Sequence, residues 1–328
     1  MDRLAEYWTK LEDNNVRCDL CPHYCIIPDG RSGICRSRTN HAGTLYATNY
    51  AKCTGIAIDP IEKKPLYHFR PGSQILSLGP NSCNLGCYFC QNYQISLLEC
   101  KTIELSPEAL NELVLSNGLK QVAFTYTEPI TWFEYIKDFA CLANGIDIVL
   151  VTNGYVNIEP LEELCSYVKA MNIDIKSASD EFYKRACKGS IEPVIAAIKT
   201  VLKRKVHLEI TNLIIPTEND APDDFNRLIE ICSGISKDIP IHFSAYHPAY
   251  KARIEATEIG IVIEACKIAS DKMHFVYAGN IGVSEYISTK CPSCGQTLIT
   301  RDRLQSELMI TGDGSCKYCR SVITGVFA

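Results

Sequence analysis

No run of apolar residues in this chain of 328 approaches the roughly 20 that a helix needs to cross a bilayer, so no membrane-spanning helix is expected. The opening residues, Met1-Asp-Arg-Leu-Ala-Glu, contain no apolar signal core, which makes the cytoplasm the expected location. A surplus of positive charge is also missing. The chain has 33 Lys and Arg against 38 Asp and Glu, a formal net charge of -5, so the basic footprint of a nucleic-acid binder is absent. The run Lys203-Arg204-Lys205 closes a helix pattern and reads as its solvated end. There is no repeat at solenoid periods and no low-complexity linker, which leaves an ordinary globular enzyme or binding protein.

Cysteine, by contrast, is abundant at 18 residues. In a secreted chain that count would suggest disulfides; in a cytoplasmic one, clustered cysteines read as metal ligands. Eleven fall into three groups: Cys18, Cys21, Cys25 and Cys35; Cys83, Cys87 and Cys90; and Cys291, Cys294, Cys316 and Cys319. Of the others, Cys141, Cys165, Cys232 and Cys266 sit in helical patterns and read as small core residues.

The middle group is the most informative. Cys83-Asn-Leu-Gly-Cys87-Tyr-Phe-Cys90 places three thiolates with three residues and then two between them. Three soft ligands this close can hold one iron–sulfur cube but cannot complete it, because the cube has four irons. The iron without a thiolate is a coordination site for something else.

Three regions follow from the pattern: a turn-rich, Cys-rich metal-binding region at 1–72, alternating strand and helix segments at 73–285, and a cysteine-bounded tail at 286–328. In the middle region, strands are expected at 74–78, 121–125, 146–151, 172–176, 206–215, 240–246 and 274–278. Between them lie helices such as the one opened by Ser106-Pro107-Glu108 and one over 255–270. Short strands alternating with longer helices imply an α/β fold with a parallel sheet. In such folds chemistry gathers at the C-terminal ends of strands.

The tail, Cys291-Pro-Ser-Cys294 and Cys316-Lys-Tyr-Cys319 with 21 residues between, is a zinc-ribbon pattern. Four thiolates fill a tetrahedral zinc, so its role is structural or that of a docking surface; iron is the rival metal. The N-terminal four cysteines could hold zinc or an auxiliary iron–sulfur cluster, with His23 as a spare ligand, and sequence does not choose. The connecting stretch 58–72 contains Lys63, Lys64, His68 and Arg70, which read as a solvated hairpin or as a substrate wall over the cluster.

Cys-x3-Cys-x-aromatic-Cys resembles the signature of the radical S-adenosylmethionine (SAM) enzymes, with Phe89 at the family's aromatic position. The resemblance implies a partial (β/α)6 barrel, a [4Fe-4S] cluster on Cys83, Cys87 and Cys90, and SAM chelating the fourth iron. An electron from the reduced cluster then cleaves SAM to methionine and a 5′-deoxyadenosyl radical, which abstracts hydrogen from a substrate. It implies that Glu128, in Thr125-Tyr-Thr-Glu128-Pro129, takes SAM's amino group, and that Asp174 and Lys176 help hold SAM. His247 is implied near SAM, and Thr152, Asn153, Thr211 and Asn212 as further contacts.

Over its whole length the chain resembles the radical SAM component of the AmmeMemoRadiSam system, related to pyruvate formate-lyase activating enzyme. The match rests on the N-terminal cysteines, the stretch Asp59-Pro-Ile-Glu-Lys-Lys-Pro-Leu-Tyr-His-Phe69, the cluster loop and the tail. That implies a low-potential electron donor, flavodoxin or ferredoxin, and Memo-type and Ammecr-type neighbours as partners. Three functions follow as expectations: radical chemistry on an unidentified substrate, activation of a protein partner by installing a glycyl radical, or a non-catalytic metal-binding module or electron carrier.

Overall fold

The computed structural model describes residues 2–282, 285–301 and 306–327. At its centre is a nine-stranded sheet. Seven strands run parallel, neighbour to neighbour in chain order: Gln74–Pro80, Gln121–Phe124, Asp147–Thr152, Val168–Asp174, His207–Ile214, Ile241–Ala245 and Val276–Gly279. Lys52–Pro60 adds antiparallel to the first of these, and Ile103–Glu104 adds antiparallel to Lys52–Pro60. A strand from the turn-rich N-terminal region is thus part of the main sheet. The rest of that region forms two small antiparallel sheets, and the tail forms a third.

The parallel strands are largely buried on both faces, as expected of a parallel sheet. Every residue of Gln121–Phe124 and of Ile241–Ala245 is buried. The covering helices bury one stripe each. Pro107–Ser116 is capped by Ser106, whose hydroxyl accepts from the Ala109 amide at 3.2 Å, and it buries Leu110 and Val114. Glu192–Lys203 buries Val194, Ala197, Ile198 and Val201, the spacing of one helical face. No helix among the described residues is long and apolar enough to cross a membrane.

Some details depart from the sequence pattern. A short helix, Ile158–Leu164, occupies a connection that the pattern left unassigned. The fourth parallel strand begins at Val168, paired with Ile148, and ends at Asp174, so Lys176 lies past its end. There the Lys176 amide takes the Tyr183 hydroxyl at 2.9 Å instead of a ladder partner. The last helix begins at Ile259, not at 255. Cys165, Cys232 and Cys266 are buried as expected, but Cys141 is exposed.

The stretch 58–72 is neither a solvated hairpin nor a wall over the cysteine loop. Lys64 and His68 are buried, and Lys64 pairs with Asp59 at 2.7 Å. Residues 67–70 close the end of the sheet where the strands begin. Arg70 pairs with Asp147, the first residue of its strand, at 2.6 Å. The buried Glu209 carboxylate, near the start of the fifth parallel strand, accepts the backbone amides of Tyr67 at 2.9 Å and His68 at 2.6 Å, and binds His207 and His242 at 3.0 and 2.6 Å. Burial pushes His68 down to about 3, which keeps it neutral. A neutral ring can donate from Nδ1 to the Thr324 carbonyl and accept at Nε2 from the Tyr277 hydroxyl. The Val326 amide then donates to the His68 carbonyl at 2.7 Å, so the tail is anchored at this same end.

Glu209 holds two backbone donors that have no other acceptor in reach, so its loss leaves them buried and unpaired. Glu209→Gln is expected to lower unfolding stability by about 3 kcal/mol in denaturant titration. A loss under about 0.5 kcal/mol would show that this carboxylate does not hold the 67–70 segment.

Candidate functional site

The opposite end of the sheet carries the cysteine loop. It begins just past the first parallel strand, and the residues around it come from the ends of the second, third and fourth. Glu128, beyond the second strand, is fully buried. Its Oε1 accepts from the Thr152 hydroxyl at 2.6 Å and the Ile130 amide at 3.1 Å, and its Oε2 accepts from the Asn153 amide at 2.8 Å. Its own amide donates to the Ser82 carbonyl at 3.2 Å. One side chain and its backbone therefore tie together three strand ends, and both carboxylate oxygens are already in use.

Two of the loop sulfurs have a hydrogen-bonding neighbour. Cys83 Sγ accepts from the Leu85 amide at 3.4 Å and lies 3.8 Å from the Asn153 side-chain nitrogen. Cys90 Sγ is 3.2 Å from the Ser96 hydroxyl. The buried thiol of Cys187 acts on Cys87 and pushes its thiol up. Cys187 ends the single turn Tyr183–Cys187, whose backbone also grips the loop. Gly86 and Tyr88 donate to the carbonyls of Cys187 and Ala186 at 2.8 and 3.2 Å. The approach is close: a Cβ on Gly189 would stand 2.7 Å from Leu85 Cδ2. Phe89 is buried, edge-on to Tyr88 and tilted against Phe182.

Opposite charges flank Cys87. Lys176 Nζ pairs with Asp174 Oδ2 at 2.7 Å, and both act on the Cys87 thiol. Burial alone would lower the Lys176 ammonium, but Asp174 and the neighbouring sulfurs raise it, so it stays charged. Asn212 donates to the carbonyls of Ile175 and Lys176 at 2.8 and 3.3 Å, while its Oδ1 and the Thr211 hydroxyl are buried without partners among the described residues. His247 follows the sixth strand, as its position suggests, but its side chain is exposed. Above the loop, the Lys251 amide donates to the Tyr88 carbonyl at 3.0 Å.

Cys187 is the residue that sequence reasoning missed. It is a single cysteine with no spacing signal, a hundred positions past Cys87. Its thiol acts on Cys87, and a polar neighbour of a ligating sulfur favours the reduced state of a bound cluster. Cys187→Ala is expected to lower the reduction potential of that cluster in an EPR redox titration, and Cys187→Ser, which keeps a donor, to stay near the parent. Equal potentials in all three proteins would remove this role.

The other cysteine groups differ in geometry. In the tail, Cys291, Cys294, Cys316 and Cys319 hold their sulfurs within 4.8 Å of one another, with Cys291 to Cys319 at 3.6 Å and Cys294 to Cys316 at 3.8 Å; this group could bind a metal ion. At the N-terminus, Cys18, Cys21, Cys25 and Cys35 line one cavity. His23, a spare ligand by sequence, instead binds the Asn84 carbonyl at 2.7 Å.

Burial pushes the Glu128 carboxyl up to about 7, against the opposing pull of the Thr152, Asn153 and Ile130 donors. A raised folded value means that the folded state binds the extra proton. The stability linked to it is full below the ordinary value of 4.5 and is lost as pH rises through about 7. The urea midpoint of the metal-free protein is expected to fall between about pH 5 and about pH 8, with that component missing in Glu128→Gln. Identical slopes in the two proteins would place the titration elsewhere.

Comparison with known proteins agrees with this geometry. Residues 79–230 match the profile of the radical SAM superfamily. The chain is 40% identical over 326 residues to an uncharacterized protein of Methanocaldococcus jannaschii, covering 97% of each. It is 24% identical over 213 residues to a pyruvate formate-lyase-activating enzyme of Listeria monocytogenes, covering 57% of this chain and 85% of that one. A crystal structure of a radical SAM methyltransferase from Sphaerobacter thermophilus superposes with a TM-score of 0.52 at 14% identity over 71% of each chain, a likeness of fold.

Proposed function

Residues 79–230 form a radical SAM superfamily domain, and on that premise we propose that the chain is an enzyme that reductively cleaves SAM and removes a hydrogen atom from a substrate. The observation that carries this reading is the loop of three thiols, two of them met by hydrogen-bonding neighbours and the third flanked by an ion pair. The donor set fits a [4Fe-4S] cluster held at three corners. Bound there, the reduced cluster supplies the electron that breaks the sulfonium bond of SAM.

The chain's own groups divide the rest of the work. SAM's methionine end is a zwitterion, and Asp174 and Lys176 offer it one charge of each sign. Thr211 and Asn212 offer buried oxygens that lack partners among the described residues. Phe89 closes the loop against water. Glu128, with both oxygens engaged, acts by positioning Thr152 and Asn153 rather than as the sole acceptor of the amino group. We leave the exposed His247 outside the packed set.

The tail sulfur spacings fit a tetrahedral zinc, for which Zn–S bonds of about 2.3 Å set sulfurs about 3.8 Å apart. That zinc is structural and stands at the far end of the sheet. The N-terminal four cysteines form another metal site, and the sheet is the open barrel of the family. We assign the chain to the AmmeMemoRadiSam group, with a low-potential flavodoxin or ferredoxin as donor and Memo-type and Ammecr-type proteins as partners. The order of its cysteine motifs supports that assignment.

Anaerobically reconstituted, reduced protein is expected to convert SAM to 5′-deoxyadenosine and methionine, measured by chromatography, and Cys87→Ala to form neither. No 5′-deoxyadenosine from the parent protein would end the enzymatic reading. The similarity to an activating enzyme favours one substrate class, a protein partner that receives a glycyl radical. A persistent glycyl doublet in EPR with a partner present supports that class, and its absence with turnover of SAM points to another substrate.

A further inference from the structure

Cys18, at the end of the strand Val16–Cys18, and Cys21, Cys25 and Cys35, in the connections that follow, converge on one cavity, which Arg38, Asn84 and Thr131 also line. Its interior is about 20 Å³, which admits a body the size of a water molecule. Four sulfurs drawn onto one tetrahedral ion stand about 3.8 Å apart and leave no such space. The tail group meets that spacing. Among the described residues, no three of the N-terminal sulfurs lie within 4.8 Å of one another, and neither do Cys83, Cys87 and Cys90. A cube of four irons and four sulfides holds its thiolates on its outer corners, well beyond mononuclear spacing.

A second observation points to a bound group. Arg38 is fully buried and lines the cavity, yet its Nε has no hydrogen-bond partner. Its other nitrogens are engaged, with Glu134 at 2.6 Å and the Glu6 carbonyl at 2.7 Å. An orphaned donor is costly unless the cavity supplies an acceptor, and a cluster offers thiolate and sulfide sulfur.

We propose that Cys18, Cys21, Cys25 and Cys35 hold a second [4Fe-4S] cluster, closed at all four corners, rather than zinc. This rests on the reading that these four cysteines bind metal, and it does not depend on SAM chemistry at the other loop. A closed cluster has no open iron for SAM or substrate, so its chemistry is the gain and loss of single electrons. It lies against the catalytic loop. Ser82, just before Cys83, donates to the Cys35 carbonyl at 3.0 Å, and Asn84, just after it, accepts from His23 at 2.7 Å.

Metal and sulfide analysis of the anaerobically reconstituted full chain tests this. The parent is expected to carry about eight irons, about eight sulfides and about one zinc. The triple variant Cys83→Ala/Cys87→Ala/Cys90→Ala, which leaves the N-terminal residues untouched, keeps about four irons and a reduced-state EPR signal unmoved by SAM. Cys18→Ser/Cys35→Ser loses about four irons and keeps the SAM-sensitive signal. Two zincs and no iron in the triple variant overturn the proposal, and no metal beyond the tail zinc overturns the metal reading beneath it. Iron in the triple variant with a parent whose spectrum ignores SAM upholds the second cluster and removes the catalytic one.

Discussion

The cysteine-loop end of this molecule depends on one buried carboxylate. Glu128 takes three donors from the ends of two strands and gives its amide to the residue before Cys83. A loop that must present three sulfurs outward cannot be helix or strand, so its backbone needs partners from elsewhere. Glu128 supplies them on one side, and the turn at Tyr183–Cys187 supplies them on the other.

The two ends of the sheet do different work. Where strands begin, neutral His68, Glu209 and the tail form a closed hydrogen-bonded plug, far from the cysteine loop. Where strands end, charged and unpartnered groups collect: the Asp174–Lys176 pair, Thr211, Asn212 and three thiols. The tetrahedral sulfur set belongs to the first end, and both wider sulfur sets belong to the second. The set with tetrahedral spacing and the two wider sets are thus separated by the length of the strands.

Much of this is visible in the sequence where the determinants are local. The Cys83, Cys87 and Cys90 spacing, the Ser106 cap, the alternating strands and helices, and the tail knuckles each lie within a few residues of one another. What sequence could not supply is long-range. Glu128 meets donors 24 and 25 residues on, and its role as a tie reads only from their positions. The 67–70 stretch looked like a charged connector because its partners lie 141 and 209 residues away. Cys187 carries no pattern at all. His247 shows the converse: its motif position is correct for the strand end, yet the backbone beyond the strand leaves its side chain exposed.

The central claim is that the iron left without a cysteine is the one that takes SAM. Electron–nuclear double resonance on the reduced triple-cysteine cluster, with SAM labelled by 15N at its amino group and by 13C at its carboxylate, addresses it directly. Hyperfine coupling from both labels to the cluster is the result this account predicts. An EPR spectrum unchanged by SAM, with no coupling from either label, would contradict it.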